Sequence, residues 1–174
     1  MNTPSSVQIV SGYQPGLIAR ITDMHARYYS RTSGFGQRFE SVVAGGLASF
    51  CDRPSSPFNG IWAAVHHDAI IGSIALDGED LGDNIAHLRW FIVDDGARGN
   101  GIGRRLLATA LNVADTQGFS ETHLWTFRGL EAARHLYESN GFTCVAEYPG
   151  DQWESTVLEQ QFGRRHPQLR SADV

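Results

Sequence analysis

The amino-acid sequence predicts an α/β fold in which helices cover both faces of a mixed central sheet. Short apolar runs rich in β-branched residues and longer stretches with helical periodicity follow one another in the order βααβββαβαββ. Residues 87–118 contain an apolar strand, a glycine-rich turn and an amphipathic helix in direct succession. Because strands that alternate with helices along the chain are typical of layered α/β domains, both observations indicate the same fold class.

Each element is predicted from its periodicity and from the turn residues that bound it. Apolar or alternating runs predict strands at residues 7–10, 61–66, 70–76, 87–93, 122–127, 143–148 and 155–162. Apolar residues at helical spacing predict helices at residues 15–28, 39–50, 104–117 and 130–139. These elements form one predicted domain of residues 1–162, and the polar residues 163–174 are predicted to be a loose C-terminal tail.

Length and composition argue against several classes of protein. A chain of 174 residues is long enough for a single well-covered core. The net charge of −5 argues against a nucleic-acid-binding protein and favours cationic partners. No apolar run reaches about 18 residues and the N-terminus lacks signal-peptide features, so we expect no membrane association and a cytoplasmic location. Cys51 and Cys144 lack metal-ligand spacing, so we expect reduced thiols and no metal site.

The glycine-rich turn has the chemistry of a phosphate-binding loop. It reads Arg-Gly-Asn-Gly-Ile-Gly at residues 98–103 and leads directly into a helix. Glycines permit a tight turn and a close approach of ligand to backbone. The first amides of the helix lack intrahelical partners and carry the positive end of its dipole. A glycine-rich connection without a ligand is the alternative. The spacing fits neither a P-loop nor the dinucleotide-binding fingerprint.

With this loop, the sequence resembles the GNAT superfamily of acyl-CoA-dependent N-acetyltransferases. The signature loop of that family, Arg/Gln-x-x-Gly-x-Gly/Ala, is met by Arg98, Gly101 and Gly103. A second landmark of the family, L-Y-x-x-x-G-F, is met by residues 136–142. Two motifs in the expected order make the resemblance specific.

The resemblance covers residues 7–162 and is strongest over residues 87–142. It implies the GNAT fold, whose order of elements is the one predicted above. Two positions depart from the family pattern. Many members have Pro where this chain has Asp95, and many have Asn where it has Leu130.

The resemblance also implies acetyl-CoA as the cofactor, with CoA as a product, and a particular way of binding it. In the family, the central strand carries a bulge and separates from its neighbour, so that its backbone pairs with the pantetheine arm. The pyrophosphate lies on amides of the glycine-rich loop. The cofactor-binding residues implied here are Phe91, Ile92, Val93, Arg98, Gly99, Asn100, Gly101, Ile102, Gly103 and Arg104.

The family tyrosine that protonates the departing thiolate corresponds to Tyr137. A phenol with a pKa near ~10 is a suitable donor to a thiolate with a pKa near ~8.5. The alternative is a tyrosine that only packs under the sheet.

The general base is implied at His87, where many relatives place a glutamate on the central strand. An imidazole accepts a proton readily near neutral pH. By strand alternation, the His87 side chain is predicted to share a face with Arg89 and Phe91. One alternative is a solvated histidine at the strand end. Another is a base in the preceding loop acting through water, for which the candidates are Glu79, Asp80 and Asp83.

These residues predict an N-acetyltransferase in which a primary amine attacks the acetyl group directly, since neither cysteine belongs to a nucleophile motif. The substrate is expected to be a small-molecule amine or a protein amino group. The family's frequent dimers make a homodimer one possible state, and the sequence leaves the oligomeric state open. A non-catalytic acyl-CoA-binding or sensor module on the same fold is the alternative, as is a nucleotide-binding α/β protein of another family. The aromatic residues Tyr28, Tyr29, Phe35 and Phe39 either line a substrate pocket or pack helices on the sheet.

Overall fold

The computed structural model describes residues 6–153 and 155–170. Its strands are β1 (Gln8–Ser11), β2 (Gly60–His66), β3 (Ala69–Asp77), β4 (Ile85–Val93), β5 (Glu121–Phe127), β6 (Thr143–Gly150) and β7 (Val157–Arg165). Its α-helices are α1 (Leu17–Ser33), α2 (Gln37–Cys51), α3 (Ile102–Thr116), α4 (Glu131–Ser139) and the short α5 (Pro167–Arg170). A 3-10 turn, Asp95–Ala97, joins β4 to the glycine-rich loop.

The strands form one mixed sheet, and the predicted fold class is confirmed. In the described part of the chain the strand order is β1-β2-β3-β4-β5-β7-β6. β4 and β5 are parallel, whereas the other neighbours are antiparallel. One buried cluster packs α3 and α4 on one face, and a second packs α1 and α2 on the other. Helices therefore cover both faces, as the order of elements predicts.

The C-terminal segment is more ordered than its composition suggested. The prediction of a loose tail from residue 163 is wrong for the part that the structure describes, because β7 continues to Arg165 opposite Glu121 of β5. Arg164 is buried there, with its guanidinium 2.8 and 2.9 Å from the two carboxylate oxygens of Asp115. The strand can include the buried, charged Arg164 because its ion pair with Asp115 satisfies the charge. Residues 171–174 lie outside the described residues.

A bulge in β4 changes which side chains face which helices. Ser73 pairs with Ile92 and Ala75 pairs with Arg89, so one residue of β3 lies opposite two of β4. Trp90, within the bulge, has a φ of 48°, a left-handed conformation that a bulky residue rarely adopts.

The bulge reverses the alternation of the strand. His87 and Arg89 remain on the α1/α2 face, but Phe91 packs against the α3/α4 cluster. The prediction that Phe91 shares a face with His87 and Arg89 is therefore wrong. It assumed a regular pleat, which the extra residue interrupts.

Strands β4 and β5 separate soon after they begin to pair. Their parallel ladder includes only three pairs, the last joining His87 and His123. Beyond this point β5 stays paired with β7 as far as Phe127, while β4 stays paired with β3 as far as Val93. The two strands therefore form the walls of an opening in the middle of the sheet. We call it the seam.

Candidate active site

A cavity of about 950 Å³, here called the large cavity, lies at the wide end of the seam. Every predicted cofactor residue except Asn100 lines it, and Tyr137 lines it as well. The side-chain amide of Asn100 instead lies 3.4 Å from the carbonyl oxygen of Ala97 within the loop. The end of β4, the glycine-rich loop and α4 thus border one space.

The glycine-rich loop presents a row of backbone donors to this cavity. Gly99 and Gly101 have φ values of 82° and 72°, which are readily adopted only without a Cβ atom. Within residues 6–153 and 155–170, the backbone amides of residues 99–104 have no hydrogen-bond acceptor. Together with the N-terminal end of the α3 dipole, these amides form a site suited to a phosphate or pyrophosphate.

The arginines of the loop have different surroundings. Arg98 donates from Nε to the carbonyl of Val93 at 3.1 Å, and its guanidinium lies 4.2 Å from the ring centroid of Tyr28. It therefore holds the loop against the strand end and α1. Arg104 is exposed at the cavity and makes no hydrogen bond to another described residue, so its charge is available to an anion.

Tyr137 lies in α4 beneath the seam. Its ring contacts Phe91, Phe142 and Phe162, with centroid distances of 5.9 to 6.1 Å. Burial, with a smaller contribution from Tyr29, raises the pKa of the Tyr137 phenol far above its usual value. The hydroxyl has no hydrogen-bond partner among the described residues. It is therefore a protonated donor beside the large cavity.

A second cavity of about 260 Å³, the small cavity, lies on the α1/α2 face of the seam. Tyr29, Phe91, Thr126 and Tyr137 line both cavities, so the two spaces border each other at these residues. His87 lines only the small cavity. The structure therefore brings both predicted catalytic side chains to the small cavity, with Tyr137 also lining the large one.

His87 is held in one orientation by a carboxylate. Its Nδ1 lies 2.6 Å from Oδ2 of Asp80. Burial, assisted by the nearby charge of Arg89, lowers the pKa of His87 below its ordinary 6.5, although Asp80 acts in the opposite direction. Because a carboxylate only accepts hydrogen bonds, the neutral ring carries its proton on Nδ1 and keeps a free lone pair on Nε2.

Arg89 is already paired on the same face. Its Nη1 lies 3.2 Å from the fully buried Asp77, which also receives two hydrogen bonds from Arg53 at 2.9 and 2.6 Å. Burial acts to raise the pKa of Asp77, but the hydrogen bond from Arg53 and the two guanidinium charges hold it below its usual value. This network keeps an ionised carboxylate beneath the small cavity.

The other loop carboxylates are not placed like Asp80. Glu79 accepts a hydrogen bond from Asn59 at 2.5 Å and lies 3.7 Å from Arg53. Neither Glu79 nor Asp83 lines the large or the small cavity. Of the three carboxylates considered from the sequence, only Asp80 contacts His87.

Comparison with known proteins identifies the family. The profile described as Acetyltransferase (GNAT) family matches residues 19–142 of this chain. The chain belongs to the GNAT acetyltransferase family. The predicted resemblance is thereby confirmed.

Two curated GNAT relatives match part of the chain. N-acetyltransferase family 8 member 3 of Rattus norvegicus is 38% identical over 97 residues, which are 54% of this chain and 42% of that protein. Mycothiol acetyltransferase of Beutenbergia cavernae is 44% identical over 54 residues, which are 31% of this chain and 18% of that protein. This GNAT chain therefore spans less than half the length of these relatives.

Solved structures share the fold over nearly the whole chain. The structure of yncA from Salmonella typhimurium, described with its cofactor acetyl-CoA, has a TM-score of 0.71 at 16% identity and covers 92% of this chain and 94% of that one. A GCN5-related N-acetyltransferase from Kribbella flavida has a TM-score of 0.72 at 20% identity, covering 94% and 99%. At these identities the likeness concerns the fold alone.

Several residues of this GNAT site were not found from the sequence. The small cavity is also lined by His25, Trp125, Trp153 and Glu159, which come from four separate segments. His25 is buried, and this burial lowers its pKa to about 4, so it is neutral at pH 7. Because these residues are far apart along the chain, no sequence motif predicts that they meet at one cavity. The only available signal was the alternation of the strands that carry Trp125 and Glu159.

The aromatic residues of α1, α2 and the turn between them divide between the two interpretations left open by the sequence. Phe35 is buried in the α1/α2 cluster and lines neither cavity, whereas Tyr29 lines both. Tyr28 lines the large cavity, and Phe39 is both a core residue and a wall of the small one. The cluster therefore packs the helices and also shapes the site.

The described residues contain no helix long and apolar enough to cross a bilayer. They also contain no group of three histidine, cysteine or acidic side chains placed to hold a metal ion.

Proposed function

We propose that this protein transfers an acetyl group from acetyl-CoA to a primary amine, by direct attack of the amine. The observation that carries this proposal is the meeting of two cavities at the seam, one beside a row of free amides and one beside His87. Transfer between two bound molecules requires that their reacting atoms meet in a defined geometry. The four residues shared by the cavities mark where this would happen.

The large cavity fits acetyl-CoA, which supplies the acetyl thioester. The amides of residues 99–104 would hold the pyrophosphate, with Arg104 adding a charge. The edge of β4 beyond His87 is not paired with β5, so backbone groups of Phe91, Ile92 and Val93 can bind the pantetheine arm as a neighbouring strand would. A backbone amide there would also polarise the thioester carbonyl.

His87 would accept the proton of the attacking amine. Its lone pair on Nε2 is free because Asp80 binds the opposite side of the ring. Its lowered pKa keeps the ring neutral at pH 7, so it is ready to accept a proton. Asp80 is a positioning residue in this proposal, since it acts through His87.

Tyr137 would hold the proton that the departing sulfur needs. Burial keeps its phenol protonated across the working range of pH, and its hydroxyl has no competing partner among the described residues. Neither Cys51 nor Cys144 lines the large or the small cavity, which supports direct attack rather than a covalent acetyl-enzyme.

The test is a thiol-release assay with acetyl-CoA across a panel of primary amines, together with calorimetry of acetyl-CoA binding. The sequence contains no lysine, so self-acetylation of side-chain amines contributes no background. We expect binding and amine-dependent release. Binding without release for any amine would favour a non-catalytic acyl-CoA-binding module. Displacement of acetyl-CoA by NAD or ATP would favour a nucleotide-binding protein instead.

A further inference from the structure

The small cavity contains a buried carboxylate that has no positive partner in the part of the chain that the structure describes. Glu159 of β7 is only 6% exposed and lines this cavity. Its Oε1 accepts a hydrogen bond from Nε2 of Gln152 at 2.6 Å. Among the described residues, no arginine or histidine nitrogen lies within 4.0 Å of the carboxylate. Arg38, the one arginine of α2, donates to the backbone carbonyl of Gln152 instead.

The strand register fixes the position of this carboxylate. Glu159 pairs with Phe127 of β5, and directly paired residues of antiparallel strands have side chains on the same face. That face is the one that carries His87. On the other side, a Cβ atom added at Gly150 of β6 would overlap the Glu159 carboxylate. The Glu159 carboxylate therefore occupies space beside Gly150 that the side chain of any larger residue at position 150 would fill.

The other ionisable groups around the small cavity are neutral or compensated. Arg89 is paired with Asp77, and His87 is neutral and bound to Asp80. His25 is neutral because its burial lowers its pKa to about 4. Among the described residues that line the small cavity, only Glu159 thus keeps an uncompensated charge. A buried charge is costly unless it is paired as well as hydrogen-bonded, and a cationic ligand would supply the missing partner.

The walls of the small cavity are also suited to a cation. Trp125, Trp153, Phe127, Tyr29 and Phe39 surround it, and the faces of aromatic rings attract positive charge. An aromatic enclosure with one carboxylate at its wall is a recognition site for an ammonium group. Such a site would repel a carboxylate-bearing ligand.

From these observations we infer that the amine substrate carries a second positive charge, which Glu159 binds while the reacting amine lies toward the seam. The substrate class is thus a diamine or a longer polycation rather than an α-amino acid or an uncharged amine. This inference rests on the proposed acetyl transfer and specifies its acceptor.

Three acceptors of matched length test the inference: 1,4-diaminobutane, 1-aminobutane and 4-aminobutanoate. For the unmodified protein we expect kcat/KM to be highest with the diamine and lowest with the aminobutanoate. Glu159→Gln should lower kcat/KM for the diamine roughly 10- to 100-fold, since it removes a charged hydrogen bond. It should leave the value for 1-aminobutane within about threefold.

The chain offers a matched control in Glu147→Gln. Glu147 of β6 accepts a hydrogen bond from Nε2 of Gln160 at 2.6 Å, as Glu159 does from Gln152. It is exposed and lines neither cavity, so its replacement should leave the order of acceptors unchanged. A second test variant, Gly150→Ala, keeps the charge but displaces the carboxylate, and should also reduce the preference for the diamine.

Several results would overturn the inference. A kcat/KM for 1-aminobutane or 4-aminobutanoate equal to that for the diamine would do so. An equal loss with all three acceptors in Glu159→Gln would show that Glu159 acts on the reacting amine itself. If no amine releases thiol, the proposed function fails, but calorimetry of 1,4-diaminobutane still tests this site. Binding that Glu159→Gln abolishes would support it, and no binding to the unmodified protein would overturn it.

Discussion

The two cavities of this GNAT chain are built in different ways. The large cavity takes its backbone donors from one continuous stretch, the end of β4 and the loop of residues 98–104, although α1 and α4 also border it. The small cavity uses side chains that α1, β4, β5 and β7 bring together from distant parts of the sequence. A site of the first kind requires particular backbone conformations, whereas a site of the second kind requires particular side chains. Substitutions in the glycine-rich loop should therefore change acetyl-CoA affinity, whereas substitutions in the small cavity should change turnover.

The largest effect is expected at Tyr137, where the two cavities meet. Tyr137→Phe removes only the hydroxyl and keeps the ring contacts with Phe91, Phe142 and Phe162. Turnover should fall by roughly 10²–10⁴-fold if this phenol supplies the proton. Acetyl-CoA affinity by calorimetry should be unchanged. Turnover within a factor of two of the original would assign Tyr137 a packing role only.

A somewhat smaller effect is expected on the small-cavity side at His87. His87→Gln should slow turnover roughly 10²-fold at pH 7, because an amide accepts no proton. In the unmodified protein, a base works only when deprotonated, so the rate should rise as pH rises through its pKa. Since that pKa is lowered, the acidic limb should lie below pH 6.5.

In His87→Gln this limb should disappear. Turnover should then recover partly at high pH, where more of the substrate amine is already neutral. Rate profiles measured from pH 5 to 10 with an amine in excess make the comparison. If the variant keeps the original profile, the base lies elsewhere.

The smallest effect is expected from a change to one backbone conformation in the loop. Gly101→Val places a β-branched residue at a φ of 72°, which costs about 1–2 kcal/mol in the loop conformation that presents its amides to the large cavity. Acetyl-CoA affinity should fall roughly 5- to 30-fold. A Cβ atom there has no neighbour within 4 Å, so we expect the fold to persist.

Gly96→Val is the matched control for the loop. Gly96 also has open space around its Cβ position, but its backbone is not left-handed. Its replacement should leave acetyl-CoA affinity within about twofold. Equal affinities for both variants would show that the Gly101 conformation does not matter to binding.

The same contrast explains what could be predicted from the sequence. The loop could be predicted because Arg98, Gly101 and Gly103 are close in sequence and their spacing is itself the signal. The order of elements could be predicted for the same reason, since periodicity is local. Glu159 could not be found in this way, because its place beside the seam depends on pairing with Phe127, over thirty positions earlier.

Two predictions are wrong because they rely on local sequence alone. The family resemblance implies a bulge in the central strand but not its position, since β4 contains neither glycine nor proline, so strand alternation predicts the wrong face for Phe91. The extent of β7 was underestimated because Arg164 appears as a tail residue until Asp115 is brought next to it by the fold. In both cases a tertiary contact outweighs local preference.

The extra residue in β4 has a consequence for how this chain can vary. Ala86 and Leu88 pack toward α3, but Trp90 and Ile92 pack toward α1 and α2. Removing one residue at the bulge would exchange the faces of every later position in the strand and draw the loop back by about 3.3 Å. A substitution in β4 changes the contacts of one side chain, whereas a deletion displaces the whole glycine-rich loop relative to the small cavity. In evolutionary terms, β4 can exchange residue types far more readily than it can change its length.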